Sequence, residues 1–329
     1  VVGLGPIGNL HSRIYQADAL ADLVGVCDRV VERTEAASAR YGVAGFASVQ
    51  EMLDATQPDL VSVATGGFEY SSDHYEPTME ALWHGCHVLC EKPICNDLNQ
   101  AKEMVAAAKR AERCFAIDFN HRFTPAAYAA RKWLEDDELG DLLFCNMALW
   151  IGRFEQFETK NYHLKALNPH SVNMMSWLCG PIEAVQCFGT VAPGRNIWST
   201  ASINMRFASG AVGHLTSSYD IARAHSVERC EVAGTGGRVV ISEMWQEATL
   251  FPAGSAERRV YANPVFGGFR DFEDTFRERL HCFVKQISEG ANPEEIDGSG
   301  EEGLAAQTVI HAAIRSLDEG NRAVRVDEF

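Results

Sequence analysis

Three glycines open the chain in the pattern Gly3-Leu4-Gly5-Pro6-Ile7-Gly8, and Asp28 closes the next apolar run, Leu23-Val24-Gly25-Val26-Cys27. These residue types at this spacing can receive a dinucleotide. Gly3 permits a tight turn, Gly5 lets a pyrophosphate approach the backbone, and Gly8 lets the following helix pack closely on its strand. With Pro6 and Ile7 completing the loop, the pyrophosphate would lie at a helix N-terminus, on unpaired N–H groups and the positive end of the dipole. The Asp28 carboxylate would accept hydrogen bonds from the adenosine ribose. An acid about 20 residues beyond the loop separates this motif from a chance run of glycines. Such an acid repels a 2′-phosphate and favours NAD, while Arg29 and Arg33 keep NADP open.

A second charged group, Glu91-Lys92-Pro93, ends the apolar run His87-Val88-Leu89-Cys90. Its place at the end of a buried strand predicts a position in the same crevice, because open α/β sheets bind ligands beyond the carboxyl ends of their strands. Thr65, which follows the run Leu60–Ala64, belongs there for the same reason. His74 is expected near the cofactor, and Asn120 and Arg122 along the crevice wall.

The elements that must hold these groups alternate in the first part of the chain. Leu23–Cys27, Leu60–Ala64, His87–Cys90 and Cys114–Asp118 read as strands, with helical segments between them. Asp97 with Gln100 resembles a capping box ahead of Ala101, Met104, Val105 and Ala108 at helical spacing. This alternation predicts right-handed βαβ units and a parallel sheet covered on both faces over residues 1–122. Only Val1 and Val2 precede the first glycine, shorter than a normal strand, which points to residues upstream.

After a helix around Pro125–Glu135 the character changes. Phe144–Ile151, Val185–Val191, Ser199–Phe207, Ala211–Tyr219, Arg229–Ala233, Arg238–Ser242 and Ala248–Phe251 read as strands. Ala208-Ser209-Gly210 and Thr235-Gly236-Gly237 read as hairpin turns. Phe272–Glu289 and Gly303–Asp318 are helical. Residues 123–329 are therefore expected to form an α+β domain, a mostly antiparallel sheet with helices on one face. Polar and apolar residues alternate in Ile203-Asn204-Met205-Arg206-Phe207, which predicts a sheet with two different faces.

Composition excludes several partner classes. A length of 329 residues fits two domains, and 46% hydrophobic with 22% charged residues is the balance of a soluble globular protein. A formal charge of −16 argues against nucleic acid, and no apolar run reaches membrane-spanning length. The ten cysteines form no C-x-x-C pair, which fits a reduced, cytoplasmic protein. Glu69, Asp73, His74 and Glu76 crowd together without diagnostic ligand spacing, and no metal is expected.

The chain resembles the Gfo/Idh/MocA family of NAD(P)-dependent oxidoreductases along its whole length. The resemblance is carried by the glycine start, Val63-Ala64-Thr65 with His74, and Gly85-Cys86-His87-Val88-Leu89-Cys90-Glu91-Lys92-Pro93. It continues through Asn120-His121-Arg122-Phe123, His170 ahead of Trp177-Leu178-Cys179-Gly180, and Asp297-Gly298 with Gly303-Leu304, Ser316, Gly320, Val324 and Val326. It implies hydride transfer between a nicotinamide and a secondary hydroxyl or ketone of a sugar, cyclitol or related polyol. It also implies a homodimer or homotetramer formed through the second-domain sheet. Oxidation needs a cation for the developing alkoxide, which suits Lys92, and a base near neutral pKa, which suits His170.

One departure from the family pattern bears on this chemistry. Members often carry an aspartate one helical turn before the histidine, where this chain has Ala166, and another shortly after it, where it has Asn173. Lys165, His163 and Asn168 could assume part of the missing role, although a loop reading of that segment is equally open. Trp150, in Trp150-Ile151-Gly152-Arg153-Phe154, could wall a sugar pocket by stacking, with strand packing the plainer reading. Two other functions stay open: a dinucleotide-binding regulator without turnover, and redox-neutral elimination or hydrolysis assisted by bound NAD.

Overall fold

The computed structural model describes residues 1–66, 73–152, 159–221 and 227–329, in two compact units. The first unit comprises Val1–Phe119 together with Phe272–Ala305, and the second Asn120–Asp271 together with Ala306–Phe329.

The first unit begins with α1 (Pro6–Ala17), β1 (Gly25–Cys27), α2 (Val31–Tyr41), β2 (Ala44–Phe46), α3 (Val49–Thr56) and β3 (Leu60–Val63). It continues with α4 (Tyr75–Trp83), β4 (His87–Cys90), α5 (Leu98–Ala111) and β5 (Phe115–Ile117). β1 pairs with β2, and β3 with β4 and β4 with β5, all in parallel. Val2 joins the two groups by bridging Cys27 on one side and Val63 on the other, so the parallel sheet expected from the sequence is present. α5 starts where the sequence places it, because Asp97 Oδ1 accepts from the amides of Asn99 and Gln100.

A short 3-10 turn (Asn120–Arg122) opens the second unit, followed by α6 (Pro125–Glu135), β6 (Leu142–Trp150), α7 (Tyr162–Cys179), β7 (Ile182–Thr190) and β8 (Thr200–Phe207). Next come β9 (Val212–Ser218), β10 (Val227–Gly234), β11 (Gly237–Ser242), β12 (Glu247–Pro252) and β13 (Arg259–Ala262). Two helices, α8 (Glu273–Ser288) and α9 (Gly300–Asp318), and a last short strand β14 (Val324–Arg325) complete the chain. The strand order is β13-β12-β11-β10-β6-β9-β8-β7-β14, antiparallel except where β6 lies parallel to β9. Thr235-Gly236 closes the β10–β11 hairpin, as its turn residues predict. One face, through Cys187, Ile203, Leu215, Met147, Cys230 and Ala248, is buried, and α7 packs on β6, β8, β9 and β10.

Two expectations need correction. The dinucleotide unit does not end at residue 122: α8 returns to it, with Phe276, Leu280, Phe283 and Val284 on one helical stripe packed against Leu89, Ala116, Ile14 and Tyr15. Sequence adjacency had assigned that helix to the second domain, but the apolar face it covers belongs to the first. The segment around Lys165 and Asn168 is helix and not loop. α7 is buried almost all round and contains Pro169, so it has neither the amphipathic stripe nor the uninterrupted run by which a helix is recognised.

Candidate active site

In the first unit the glycine loop is built by close backbone approach. Gly3 has φ +87°, and a Cβ there would lie 2.6 Å from the Ala64–Thr65 backbone. A Cβ on Gly8 would lie 1.6 Å from the Gly3 carbonyl oxygen, so neither position accepts a side chain. At Gly5 a Cβ would meet nothing within 4 Å, which is the open side a pyrophosphate needs. Gly5 is also the N-cap of α1, with no side-chain cap and with Pro6 behind it, so the first-turn amides are left for an anion. Asp28 Oδ2 accepts from the Leu4 amide at 2.6 Å and Oδ1 from the Val30 amide at 2.8 Å, fixing the carboxylate beside the loop. Arg33 Nη1 stands 3.8 Å from Asp28, and Arg29 is exposed. The residues present fit a dinucleotide.

β4 delivers Glu91 and Lys92 at its carboxyl end, and the Lys92–Pro93 peptide is cis. Beneath this turn lies a polar cluster that sequence reasoning missed. His11 on α1 is fully buried; its Nδ1–H donates to Ser62 Oγ at 2.8 Å, and its Nε2 lies 3.3 Å from both Glu91 Oε1 and Asp118 Oδ2. Burial works against a charge on His11, but hydrogen bonds and charge from Asp118 and Glu91 outweigh it and raise its pKa to about 9. Burial likewise pushes Glu91 up, yet His11 and then Lys92 bring it below its ordinary value. Asp118 is raised, by burial first and then by the Glu91 charge. These three could hold a metal ion by geometry. A histidine on the same buried stripe of α1 as Gly8 and Ser12 was the available signal.

Two residues expected at the cofactor also bond within the first unit. The His74 ring spans two carbonyls, Nδ1 at 2.7 Å from Pro93 O and Nε2 at 3.2 Å from Thr65 O. The Thr65 hydroxyl donates to Asp73 O at 3.0 Å. His74 thus ties the end of β3 to the Pro93 turn beside Lys92, and Thr65 ties it to the segment at Asp73. Glu69 and residues 153–154 lie outside the described residues.

In the second unit the 3-10 turn and α7 bring His121, Arg122, His170 and Asn173 together. The His121 and His170 rings are stacked, 3.8 Å between centroids and 11° between planes. His121 Nδ1 lies 2.6 Å from Glu228 Oε2 on β10, and all three residues are buried. Neither Glu228 nor a role for His121 was foreseen; an acid facing inward at a strand start was the only local signal. Arg122 donates to Asn173 Oδ1 at 3.3 Å and lies over the rings of Phe123 and Trp177. Asn120 is buried in the same turn.

The remaining expected positions diverge. His163 is a core histidine: burial pulls its pKa down to about 4, and Nδ1–H donates to Trp198 O at 3.0 Å. Asn168 is fully buried, and its amide has no hydrogen-bond partner among the described residues. Lys165 is half-buried on α7. Trp150 donates through Nε1 to Thr216 O on the sheet face opposite α7, so it does not join His170.

A Rossmann unit with an anion-receiving loop and a ribose carboxylate, followed by a unit of open mixed sheet with a buried histidine helix, defines a two-domain nicotinamide-dependent oxidoreductase. The chain belongs to the Gfo/Idh/MocA family: residues 1–119 match the model described as "Oxidoreductase family, NAD-binding Rossmann fold", and residues 128–240 match the GFO/IDH/MocA C-terminal domain. It is 24% identical to a myo-inositol 2-dehydrogenase of Thermotoga maritima, over 100% of this chain and 98% of that one. It is 35% identical to a D-glucoside 3-dehydrogenase of Escherichia coli, over 43% of this chain and 40% of the relative. The structure of a levoglucosan dehydrogenase in complex with NADH and levoglucosan superposes with a TM-score of 0.86 at 22% identity, covering 99% of this chain and 98% of the other. The first unit is an NAD-binding domain.

Proposed function

We propose that the protein is an NAD-dependent dehydrogenase acting on a secondary hydroxyl, or in reverse a ketone, of a sugar, cyclitol or related polyol. The observation that carries this reading is the pairing of a ligand-ready glycine loop with a Lys92 turn braced from below by Glu91 and His11 and from the side by His74. NAD supplies the hydride acceptor when bound. Gly3, Gly5, Pro6, Ile7 and Gly8 would receive the pyrophosphate, and Asp28 the ribose. Lys92 places an ammonium against the hydroxyl oxygen and stabilises the alkoxide as it forms. His170 takes the hydroxyl proton. Support for the polyol class comes from the relatives, whose names give inositol, glucoside and levoglucosan as substrates.

The test is absorbance at 340 nm with NAD, then NADP, across a panel of inositols, glucosides and anhydrosugars. NADH formation with one polyol class is expected. Tight NAD binding without any absorbance change would replace this reading with a regulator. Product formed without NADH would replace it with redox-neutral chemistry.

The open face of the second unit's sheet carries Phe188 and Val212 at half exposure among polar neighbours. It supports self-association as a dimer or tetramer. Light scattering is expected to give a mass of two or four chains, and a monomer would refute it. All ten cysteines are free thiols, which fits a reducing, cytoplasmic setting. Among the described residues no helix is long and apolar enough to cross a membrane.

A further inference from the structure

We propose that Glu228 is a positioning residue for His170 and acts through His121. The inference rests on the reading of His170 as the acid–base group and names what holds and tunes it. One helical turn before His170 stands Ala166, so α7 places no carboxylate at that position. α7 packs against β6, β8, β9, β10 and the 3-10 turn. β6 carries no charged residue. Arg206 on β8 and His214 on β9 lie on the opposite sheet face, where His214 bonds Asn204 and Thr216. On β10, Arg229 and Glu231 also face away and pair with each other. On α7 itself, His163 is tied to Trp198 and Lys165 is half-buried, and on the 3-10 turn Arg122 is tied to Asn173. Among the described residues of those strands, Glu228 is thus the one charge on the helix side.

Its geometry suits the task. Glu228 Oε2 stands 2.6 Å from His121 Nδ1, and the His121 ring is a flat surface against which His170 lies at 3.8 Å. His170 cannot rotate without giving up that stack. Removal of the Glu228 charge therefore reaches His170 through the His121 ring. Neither Glu228 carboxylate oxygen has a hydrogen-bond partner among the described residues, and Oε2 is the one that faces His121.

The test is NMR titration of histidine side chains in the full-length protein, with His170 assigned from its absence in His170→Asn. In Glu228→Gln, an isosteric change, the His170 titration is expected to move down by about one pH unit, since removal of the anion makes the imidazolium less favourable. In His121→Gln, adding Glu228→Gln is expected to shift His170 by less than about 0.3 units, because the pathway is already cut. A His170 titration unmoved by Glu228→Gln, or effects that simply add in the double variant, overturns the proposal. With substrate, the acidic limb of the kcat/KM profile is expected to move down with it. A normal NMR shift in a protein with no turnover sinks the dehydrogenase reading alone. Normal turnover with no shift sinks this inference alone.

Discussion

Lys92→Met is expected to lower turnover roughly 10³-fold while leaving NAD affinity within about a factor of three. Methionine keeps the length and much of the apolar stem of lysine but removes the ammonium. The backbone at this position is held by its neighbours: Glu91 Oε2 accepts from the Lys92 amide at 3.2 Å, and Pro93 O is tied to His74. The substitution should therefore delete a charge from a turn that keeps its place. Stopped-flow turnover and fluorescence titration of NAD would be read on the same preparation. Near-normal turnover removes Lys92 from the chemistry. A parallel collapse of NAD binding would instead make it a cofactor anchor.

The second large effect concerns stability and pH. His11 rises from 6.5 to about 9 on folding. A group whose pKa is raised by folding contributes stability that is whole below its unfolded value and is lost as pH climbs through the folded one. Between pH 6.5 and 9 the native protein is expected to lose roughly 3 kcal/mol from this group. Urea melts at pH 6 and pH 9 measure it. His11→Gln should abolish that alkaline fall and place a new one in the acid range, because Glu91 and Asp118 would then face each other with no cation between them and one must hold a proton. A wild-type protein equally stable at both pH values would mean that His11 is neutral in the fold. Glu91, lowered by folding, adds the opposite limb: its contribution is present above about 4.5 and falls away in acid.

What could be read in advance divides by range. The glycine loop, Asp28, the Asp97 cap, the 125–135 helix and the two-residue hairpin at Thr235-Gly236 are set by residues close together in sequence, and each stands where its local chemistry puts it. β2, β13 and β14 are short strands completed by their neighbours, with too few residues to show a period. The His11 cluster draws on α1, β3 and the ends of β4 and β5, and the Glu228–His121–His170 group draws on three segments of the second unit. No window of sequence contains either. The segment holding Lys165 and His163 was open to a loop reading because a helix buried on nearly every side carries no periodic signal.

The discontinuity of the first unit has a consequence for how the chain is made. Its Rossmann portion emerges from the ribosome with Leu89, Ala116, Ile14 and Tyr15 uncovered and with β5 as an open edge. The covering pieces, α8 and the Gly298–Ser299 segment that bonds Ile117 and bridges Ala116, are synthesised about 150 residues later. During translation the dinucleotide half must wait, apolar and aggregation-prone, while the other half is completed. Any fragment that stops after Phe119 freezes it in that state, so chaperone dependence and proteolytic sensitivity belong to the nascent enzyme more than to the finished one.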